Sequence, residues 1–374
     1  MAPPSPPLPL DALYEVLLRV PAKDLCRLRA VCRPWRALLS DPQFIGAHAA
    51  CHPEPLIFAA PTDGLAAGHL LDIMDLSGRV IKKVAKPGSL CAGRMEWART
   101  AQLNVVCLLM RDTRRVLLLN PATGAVSSLP QGFAEEHLPL VRKITNYRHI
   151  VVVAVGKIAS TGEYKVLRVL QGPSIRELLC EVLTLDGSSH ARWRGKKTYT
   201  EYVDLDCWNR VTINGIVYFL SREFVMDQGV VPLPIASFDL ETEEWRPILR
   251  APLNRLAISI RDVSVASLND CLVVIHYIQQ CSSMDLWFLM DFENGLWAKQ
   301  HSIPLKSGFL YDDIPVQPFL VLNDGRILYY EELKLLRIYD PKTCTSTDVA
   351  EIGRYSEIGL YKGNLLSLPD GAGA

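Results

Sequence analysis

The stretch LPLDALYEVLLRVPAKDLCRLRAVCRPWRALLSDPQF, residues 8–44, decides how the chain begins. Its apolar residues recur at the i, i+3, i+4, i+7 spacing of an amphipathic helix, and Pro21 ends the first such run. Pro34 suits the first turn of a third helix, which Asp41-Pro42 ends. The pattern therefore predicts three short helices. Its apolar positions are Leu10, Leu13, Tyr14, Leu17, Leu25, Leu28, Cys32, Trp35, Leu38 and Leu39.

Three short helices cannot bury enough apolar surface to be stable on their own. This segment is also apolar on more than one face, because Val16 and Val20 remain uncovered when Leu13 and Leu17 turn inward. Either a partner protein covers the second face, or the helices pack only on the domain that follows. We favour the partner protein as the simpler explanation.

From Pro55 onward, the helical period gives way to short β-rich runs separated by recurring turns. Asp and Asn suit these turns because their side chains bond the turn backbone, and Gly supplies positive φ. Three of the strands that follow bring in Trp193, Trp245 and Trp297. The intervals between turns are close to the roughly 50 residues of kelch-type repeats. The turns begin at Asp75, Asn120, Asp186, Asp239, Asp291 and Asp340, at intervals of 45, 66, 53, 52 and 49 residues.

A second set of hairpins lies between these outer turns, and each is a strand, a short turn and a strand. An inner hairpin followed by an outer hairpin makes a four-stranded blade, and a ring of blades leaves only short, protected sheet edges. The six outer turns favour an all-β propeller of six four-stranded blades, with five or seven left open by the irregular early repeats. The inner hairpins span 211–220, 265–275, 319–329 and 358–368.

The two ends of this β-rich region complement each other. Residues 70–84 form an outer hairpin that no inner hairpin precedes, and residues 358–368 form an inner hairpin that no outer hairpin follows. Left apart, each would expose unpaired backbone groups beside apolar side chains. We expect the two hairpins to form one composite blade, with residues 56–60 joining it or bridging from the helices.

Two resemblances follow from these motifs. Residues 8–44 resemble an F-box, with every landmark in order, and the phrases at 119–124, 163–168 and 237–242 are similar to the plant-type F-box-associated domain. Together they imply a small all-α F-box of three helices followed by the propeller. The expected boundaries are a disordered Pro-rich lead at 1–7, the F-box at 8–50, the F-box-associated propeller at 55–368 and a disordered tail at 369–374.

The F-box resemblance implies docking to the Skp-type adaptor of a cullin–RING ubiquitin ligase. Some of the residues that match the family's contact positions must instead hold the helices together, and the sequence does not separate the two roles. Among them, we expect Leu8, Pro9 and Leu17 to lie on exposed apolar surface. The contact residues implied by the resemblance are Leu8, Pro9, Leu13, Val16, Leu17, Pro21, Leu25, Val31, Cys32 and Trp35.

Composition disfavours several other classes of protein. Lys+Arg and Asp+Glu are both 40, so the chain lacks the basic excess of a nucleic-acid or membrane-surface binder. Its apolar runs, such as 105–110, are far shorter than the roughly 20 residues of a spanning helix. Asp11 and Glu15 interrupt the first apolar stretch, which is unlike a signal peptide. We expect a protein of the cytoplasm or nucleus with free cysteines and no membrane partner.

No catalytic or metal motif stands out. The chain contains no H-E-x-x-H, C-x-x-C, Gly-rich phosphate loop or G-x-S-x-G sequence. Cys26 and Cys32 fall on different sides of a predicted helix, so they cannot share one ion. We expect free thiols, surface imidazoles without a ligand pair, and no cofactor. An enzyme would need carboxylates, His or Cys converging from several blades at the channel mouth.

The basic run at 192–197 has two interpretations. It resembles a nucleic-acid-binding or nuclear-import cluster, but it also fits an outer strand that carries Trp193 into a solvated loop. The second is favoured because Trp193 matches the register of Trp245 and Trp297. It predicts a buried Trp193, and it predicts that Lys196 and Lys197 contribute nothing measurable to stability.

The preferred function is therefore substrate recognition for a ubiquitin ligase, with an unknown protein target bound by the propeller. The alternative is a propeller outside any ligase, acting as a scaffold or binding a small ligand. Copurification of adaptor and cullin would separate the two. The sequence identifies neither the target nor the propeller face that binds it, because such specificity lies in loops.

Overall fold

Four helices, not three, form the N-terminal unit of this computed structural model. They are α1 (Leu10–Leu18), α2 (Ala22–Leu28), α3 (Arg33–Ser40) and α4 (Pro42–Cys51). The expected three-helix count is wrong because Asp41-Pro42 both ends α3 and begins α4. The Gln43 backbone N–H donates to Asp41 Oδ1 at 2.7 Å, and Pro42 occupies the first helical position, where its missing N–H costs nothing.

The described residues cover most of the chain. The expected disordered segments 1–7 and 369–374 lie outside them, as do residues 187–190 of the turn that begins at Asp186. The structure describes residues 9–61, 68–86, 95–98, 105–110, 115–141, 150–172, 177–186, 191–199, 209–220, 232–254, 262–305, 316–331, 335–353 and 355–366.

The remainder of the described chain is almost entirely β-structure, apart from short helical turns at 135–141 and 279–281. The first twelve strands are β1 (Leu56–Pro61), β2 (His69–Met74), β3 (Val80–Ala85), β4 (Met95–Ala98), β5 (Val106–Met110), β6 (Arg115–Leu119), β7 (Val126–Ser128), β8 (Ile150–Lys157), β9 (Tyr164–Gln171), β10 (Leu178–Leu185), β11 (Arg194–Tyr199) and β12 (Arg210–Ile213). The others are β13 (Ile216–Leu220), β14 (Pro232–Asp239), β15 (Glu244–Asn254), β16 (Val263–Leu268), β17 (Cys271–Ile278), β18 (Ser283–Asp291), β19 (Leu296–Pro304), β20 (Gln317–Val321), β21 (Ile327–Glu331), β22 (Leu335–Asp340), β23 (Thr345–Glu351) and β24 (Tyr355–Tyr361).

These strands form six four-stranded antiparallel sheets, which confirms the six-bladed propeller. From inner to outer strand, blade 1 is β24-β1-β2-β3, and blades 2 to 6 are β4–β7, β8–β11, β12–β15, β16–β19 and β20–β23. The inner strands of successive blades approach one another around the ring, as β8, β12, β16, β20 and β24 do in turn. The sheets are therefore blades around a common axis.

Blade 1 joins the two ends of the propeller, as expected. β24 pairs with β1, and the register runs from Leu56 opposite Tyr361 to Pro61 opposite Tyr355. The Tyr355 hydroxyl donates to Asp72 Oδ2 at 3.1 Å, reaching across β1 to β2. The expected inner hairpin at 358–368 is wrong, because residues 355–366 contribute the single strand β24. Its partner is β1, from the other end of the domain.

The inner and middle strands bury both of their faces between neighbouring blades, whereas outer strands such as β7 and β23 are largely exposed. In β8, Val153 and Val155 pack towards blade 2, whereas Val152 and Ala154 pack towards blade 4. Alternate side chains of a strand point to opposite faces, so a strand covered on both sides reads as an unbroken apolar run. This explains runs such as 150–155.

The Asp and Asn turns have the geometry that the sequence predicts. In all five of these turns that the structure describes fully, the Asp or Asn Oδ1 accepts a hydrogen bond from the backbone N–H two residues later. These bonds measure 2.8–3.0 Å and are made by Asp75, Asn120, Asp239, Asp291 and Asp340.

Two of these turns, at Asn120 and at Asp75, contact the preceding blade of the ring. The Lys82 ammonium of β3 donates to Ala122 O in the Asn120 turn of blade 2. Gly78 in the Asp75 turn has a φ of +79°, and a Cβ there would lie 2.7 Å from the Ala350 Cβ of blade 6. Glycine is therefore required at residue 78 by both backbone conformation and space.

Candidate functional site

The four N-terminal helices pack around a small apolar core. Leu17 of α1, Leu25 of α2 and Leu39 of α3 are buried together, and Phe44 of α4 joins them. The Tyr14 ring meets the Phe44 ring edge-on, with 5.2 Å between their centroids. Since the inward faces are occupied, any partner must bind the outward faces.

The residues expected to contact an adaptor fall into three groups by position. The exposed group is Pro9, Val16, Pro21, Val31 and Cys32, and the half-buried group is Leu13 and Trp35. Leu17 and Leu25 are buried, and Leu8 lies outside the described residues.

The expectation that Leu17 is exposed is wrong, because only 2% of its surface is accessible. Leu17 follows Val16 by one residue, which places their side chains about 100° apart around the helix. Leu17 therefore points into the core with Leu25, while Val16 points outward. Burial assigns Leu17 and Leu25 to holding the helices together, a distinction that the sequence does not make.

Among the described side chains of the helical unit, two valines are the most exposed large apolar ones. Val16 on α1 is 54% exposed, and Val31 in the connection between α2 and α3 is 62% exposed. Singly exposed apolar residues are common on protein surfaces. These two lie in a unit of only four short helices and are accompanied by exposed Pro9 and Pro21, so apolar surface is available for a partner.

The charge of the helical unit is locally basic, but one of its arginines is already engaged. Arg29 Nη2 donates to Leu39 O and to Leu366 O, each at 2.6 Å. Its pKa is lowered by burial. Arg33 and Arg36 of α3 are exposed and remain available to an acidic surface.

Two histidines hold α4 against the end of α1. His48 Nε2 lies 2.9 Å from Val20 O, and His52 Nε2 lies 3.0 Å from Leu18 O. The two rings lie four residues apart and stack at 4.3 Å between centroids. Treating all the histidines as unpaired surface imidazoles is wrong for this pair, since His48 is buried. These histidines have a structural role, because the last carbonyls of a helix such as α1 lack partners within the helix and need other donors.

Comparison with protein families matches both parts of the chain. The F-box domain matches residues 7–45, and the F-box associated beta propeller domain matches residues 92–354. The chain belongs to the F-box-associated beta propeller family. The helical unit is accordingly called the F-box below.

Relatives of the whole chain are also F-box proteins. F-box/WD-40 repeat-containing protein 1 of Arabidopsis thaliana is 24% identical, over 87% of this chain and 77% of that protein. The F-box protein At3g07870 of the same plant is 25% identical, over 90% and 85%. Among solved structures, oligogalacturonate lyase in complex with manganese matches 80% of this chain and 79% of its own, at 11% identity and a TM-score of 0.40.

The propeller encloses a small cavity between the inner strands of four blades. Its volume is about 60 Å³, and its lining includes Arg210, Gln317 and Phe319. Gln317 Nε2 donates to Ser264 Oγ at 2.9 Å, in a network that includes the Tyr277 hydroxyl. Pockets for drug-sized ligands have roughly 300–1,000 Å³, so this cavity has room only for a few waters or a very small molecule.

The described His, Cys, Asp and Glu side chains form no metal-binding group, since no set of three or more of them has the arrangement of a metal site. Burial raises the pKa of both Cys107 and Cys180 to about 12, which keeps these thiols protonated. No helix in the described part of the chain is long and apolar enough to cross a membrane.

The basic run at 192–197 is partly structural. Trp193 is 5% exposed, its Nε1 donates to Pro130 O at 2.7 Å, and the Arg168 guanidinium stacks 3.9 Å from its ring centroid. The predicted burial of Trp193 is confirmed. Its ring closes over the segment that connects blade 2 to blade 3.

Glu243 joins this run to the next blade, which the sequence does not predict. Arg194 Nη2 and Lys196 Nζ each lie 2.5 Å from its carboxylate, and Lys165 Nζ lies 2.9 Å away. Hydrogen bonds from these cations outweigh the effect of burial and hold the pKa of Glu243 at about 2. Lys196 is therefore not a free solvated charge, whereas Lys197 is exposed.

A buried charged network also escaped sequence reasoning. Glu181 accepts from Arg168 Nε at 2.6 Å and from the Ala134 backbone N–H at 2.8 Å, and His137 Nδ1 lies 3.2 Å from it. These bonds hold its pKa below the usual range despite burial. The network fixes the connection between blades 2 and 3. In the sequence, this network is indicated only by two charged residues within apolar strands, Arg168 and Glu181.

Proposed function

We propose that this protein is the substrate-recognition subunit of a cullin–RING (SCF-type) ubiquitin ligase. The observation that carries the proposal is an F-box with a closed core and outward-facing valines, joined to a six-bladed ring. The F-box binds the Skp-type adaptor and, through it, the cullin. The propeller binds a target protein, which is not identified.

The adaptor contact rests on the exposed residues of the F-box. Val16 and Val31 would lose water contact on binding, which is worth roughly 25 cal/mol per Å² of apolar surface. Pro9, Pro21 and Cys32 extend the exposed set, and Leu13 and Trp35 border it. Leu17 and Leu25 support the surface from beneath.

The protein itself performs no chemistry in this proposal. A target held on the propeller raises the effective concentration of its lysines near a ubiquitin-charged enzyme, which is catalysis by proximity. No catalytic nucleophile is required of this chain in that role. We propose that it acts in the cytoplasm or nucleus, without nucleic-acid or membrane partners.

The relatives support this function over the alternatives. Both are named as F-box proteins and align along most of their length. The low structural similarity to a lyase carries no functional argument.

The direct test is adaptor pull-down with variants of the exposed valines. Val16→Asp and Val31→Asp each place a charge on the proposed contact and should remove most adaptor binding. Leu296→Asp is the matched control, because Leu296 is equally exposed but lies on blade 5. Retained binding by both valine variants, with unchanged thermal unfolding, would contradict the proposed contact. Leu17→Asp is unsuitable, because it would disrupt the F-box core.

Copurification tests ligase membership separately from the contact residues. The wild-type chain should bring down both adaptor and cullin, and Val16→Asp should lose both together. A scaffold outside any ligase would bring down neither. That result would replace the proposal with the alternative function.

A further inference from the structure

The last described residues of the chain are part of the F-box. Leu366 is 0% exposed and lies in the core formed by Leu17, Leu25 and Leu39. Its carbonyl accepts from Arg29 Nη2 at 2.6 Å, across 337 residues of sequence. The F-box core is therefore incomplete without a residue that follows the propeller.

The neighbouring residues bind the same unit from different sides. Asn364 Nδ2 donates to Ile45 O of α4 at 3.0 Å, and Asn364 Oδ1 accepts from the Leu366 backbone N–H at 2.9 Å. Cys26 Sγ of α2 lies 3.5 Å from Leu365 O. The segment thus contacts α4 through the Asn364 side chain and α2 through the Leu365 carbonyl, and it places Leu366 in the F-box core.

The middle residue of this segment, Leu365, is anchored in the propeller. Leu365 is buried in the core between blades 1 and 2, next to Tyr361 at the end of β24. Adjacent side chains therefore enter two different cores, Leu365 that of the propeller and Leu366 that of the F-box. Ala22 of α2 contacts both cores, so this helix lies against blade 1.

A second connection limits motion on the other side. Only residues 52–55 separate α4 from β1, and two of the four are Pro53 and Pro55. Proline fixes its own φ and restricts the residue before it, so this connection is short and stiff. His52 is also bonded to Leu18 O. Rotation about one connection is thus opposed by the other.

We infer that Asn364, Leu365 and Leu366 form a clasp that fixes the F-box in one orientation on the propeller. The clasp positions one binding module relative to the other and takes no part in binding itself. The clasp also couples closure of the propeller ring to completion of the F-box core, because the same chain segment takes part in both. If the proposed function holds, the clasp sets a constant distance between adaptor and target. This consequence rests on the proposed function, whereas the clasp itself does not.

The test measures the distance between the modules without any adaptor. Fluorophores are attached to non-natural amino acids at exposed Ala50 of α4 and exposed Lys342 of blade 6, and single-molecule energy transfer is recorded. The full-length chain should give one narrow distribution. Leu366→Ala should lose it and give a broad one.

Leu336→Ala is the matched control, because Leu336 is equally buried, at 0%, but lies in a propeller core away from the F-box. It should lower the unfolding temperature and keep the narrow distribution. If Leu366→Ala also stays narrow, its role is only structural and the clasp is refuted. A broad distribution in the wild-type chain would refute it too.

A milder variant keeps the test valid if Leu366→Ala does not fold. Asn364→Ala removes the bond to Ile45 O without opening a cavity in either core and should broaden the distribution in a folded protein. A narrow distribution for a folded Asn364→Ala would also count against the clasp. Since no adaptor is present, failure here leaves adaptor binding untouched, and failure of the pull-down leaves the clasp untouched.

Discussion

The F-box and the propeller reach stability by different means. The F-box has four helices of seven to ten residues and one core, into which the chain inserts Leu366 from beyond the propeller. The propeller repeats one interface around a ring, so each blade is supported by two others. A unit of four short helices that leaves one face open to a partner buries too little apolar surface to be stable alone. The F-box gains the additional buried surface from the segment that follows the propeller.

The two regions also differ in their buried charge. The propeller encloses ion pairs such as Arg168–Glu181 and, in blade 6, Arg337 with Glu331 at 2.5 Å. In the F-box, the half-buried Arg29 and the buried His48 bond backbone carbonyls instead. Ion pairs in the propeller connect strands, whereas Arg29 and His48 in the F-box bond carbonyls near the ends of α3 and α1.

The largest expected effect comes from removing the residues that the two regions share. A chain ending at Gly353 lacks both β24 and Leu366, so blade 1 loses its inner strand and the F-box loses part of its core. We expect aggregation and loss of cooperative unfolding in both regions. Calorimetry would measure the loss.

The control for that truncation is a chain ending at Leu366, which keeps every contact described for the clasp. It should unfold at the wild-type temperature. An F-box that still unfolds cooperatively in the chain ending at Gly353 would show that it does not depend on the propeller.

Glu181→Ala should be the most damaging single substitution in the buried charge of blade 3. It leaves the Arg168 guanidinium buried without its carboxylate, which costs roughly 3–5 kcal/mol. Glu293→Ala in an exposed turn is the control and should change stability by less than about 0.5 kcal/mol. Urea denaturation measures both. Equal values for the two variants would deny the network a structural role.

Glycine substitutions distinguish contact between blades from turn conformation alone. Gly78→Ala adds a Cβ at 2.7 Å from Ala350 Cβ, whereas Gly295→Ala, with a φ of +60°, meets nothing within 4 Å. Both substitutions place a Cβ on a residue with left-handed backbone conformation, which costs roughly 1–2 kcal/mol. Only Gly78→Ala adds a steric clash, which costs roughly 1–3 kcal/mol. Thermal unfolding should rank Gly78→Ala as the less stable variant. The opposite rank would exclude close contact at the turn.

Acid should weaken the F-box through His48. Burial lowers the pKa of His48 in the folded state, with the nearby His52 ring adding to the effect, so the unfolded chain binds the proton more readily. Stability is therefore complete above the unfolded pKa of about 6.5 and is lost as pH falls below it, by at most about 1.4 kcal/mol per pH unit.

His48→Gln isolates this effect, because the amide can still donate to Val20 O but does not titrate. Its unfolding free energy should change less between pH 7.5 and 5.5 than that of the wild type, as followed by urea denaturation at each pH. An identical pH dependence would show that His48 is not responsible.

The smallest expected effect separates two adjacent lysines. Lys196→Ser removes one of three cations from Glu243 and should cost less than about 1 kcal/mol at neutral pH, whereas Lys197→Ser should cost nothing measurable. The Glu243 pKa of about 2 lies below its ordinary value of 4.5, so the Lys196 effect should fade as pH drops from 4.5 towards 2. Equal effects of the two variants at pH 7 would contradict the Glu243 contact.

The sequence by itself determined the parts of this protein that follow local backbone rules. The hydrogen bonds of Asp75, Asn120 and the related turn residues are predictable, because an Asp or Asn side chain bonds the backbone of its own turn. Alternation of strands and turns then predicts the blades, and the unmatched end hairpins predict the closing blade. Trp193 is predictable as core because its position repeats that of other strands.

Only the tertiary structure decided which apolar residues face inward and which distant segments meet. Val16 and Leu17 have similar side chains, and only packing against Leu25 tells them apart. The Asp41-Pro42 pair can either end one helix or begin the next. Only the packing of the residues that follow it shows that it does both. Leu366 reaches Arg29 across 337 residues, and a contact between segments so far apart leaves no local pattern in either, since it depends on how the whole ring closes.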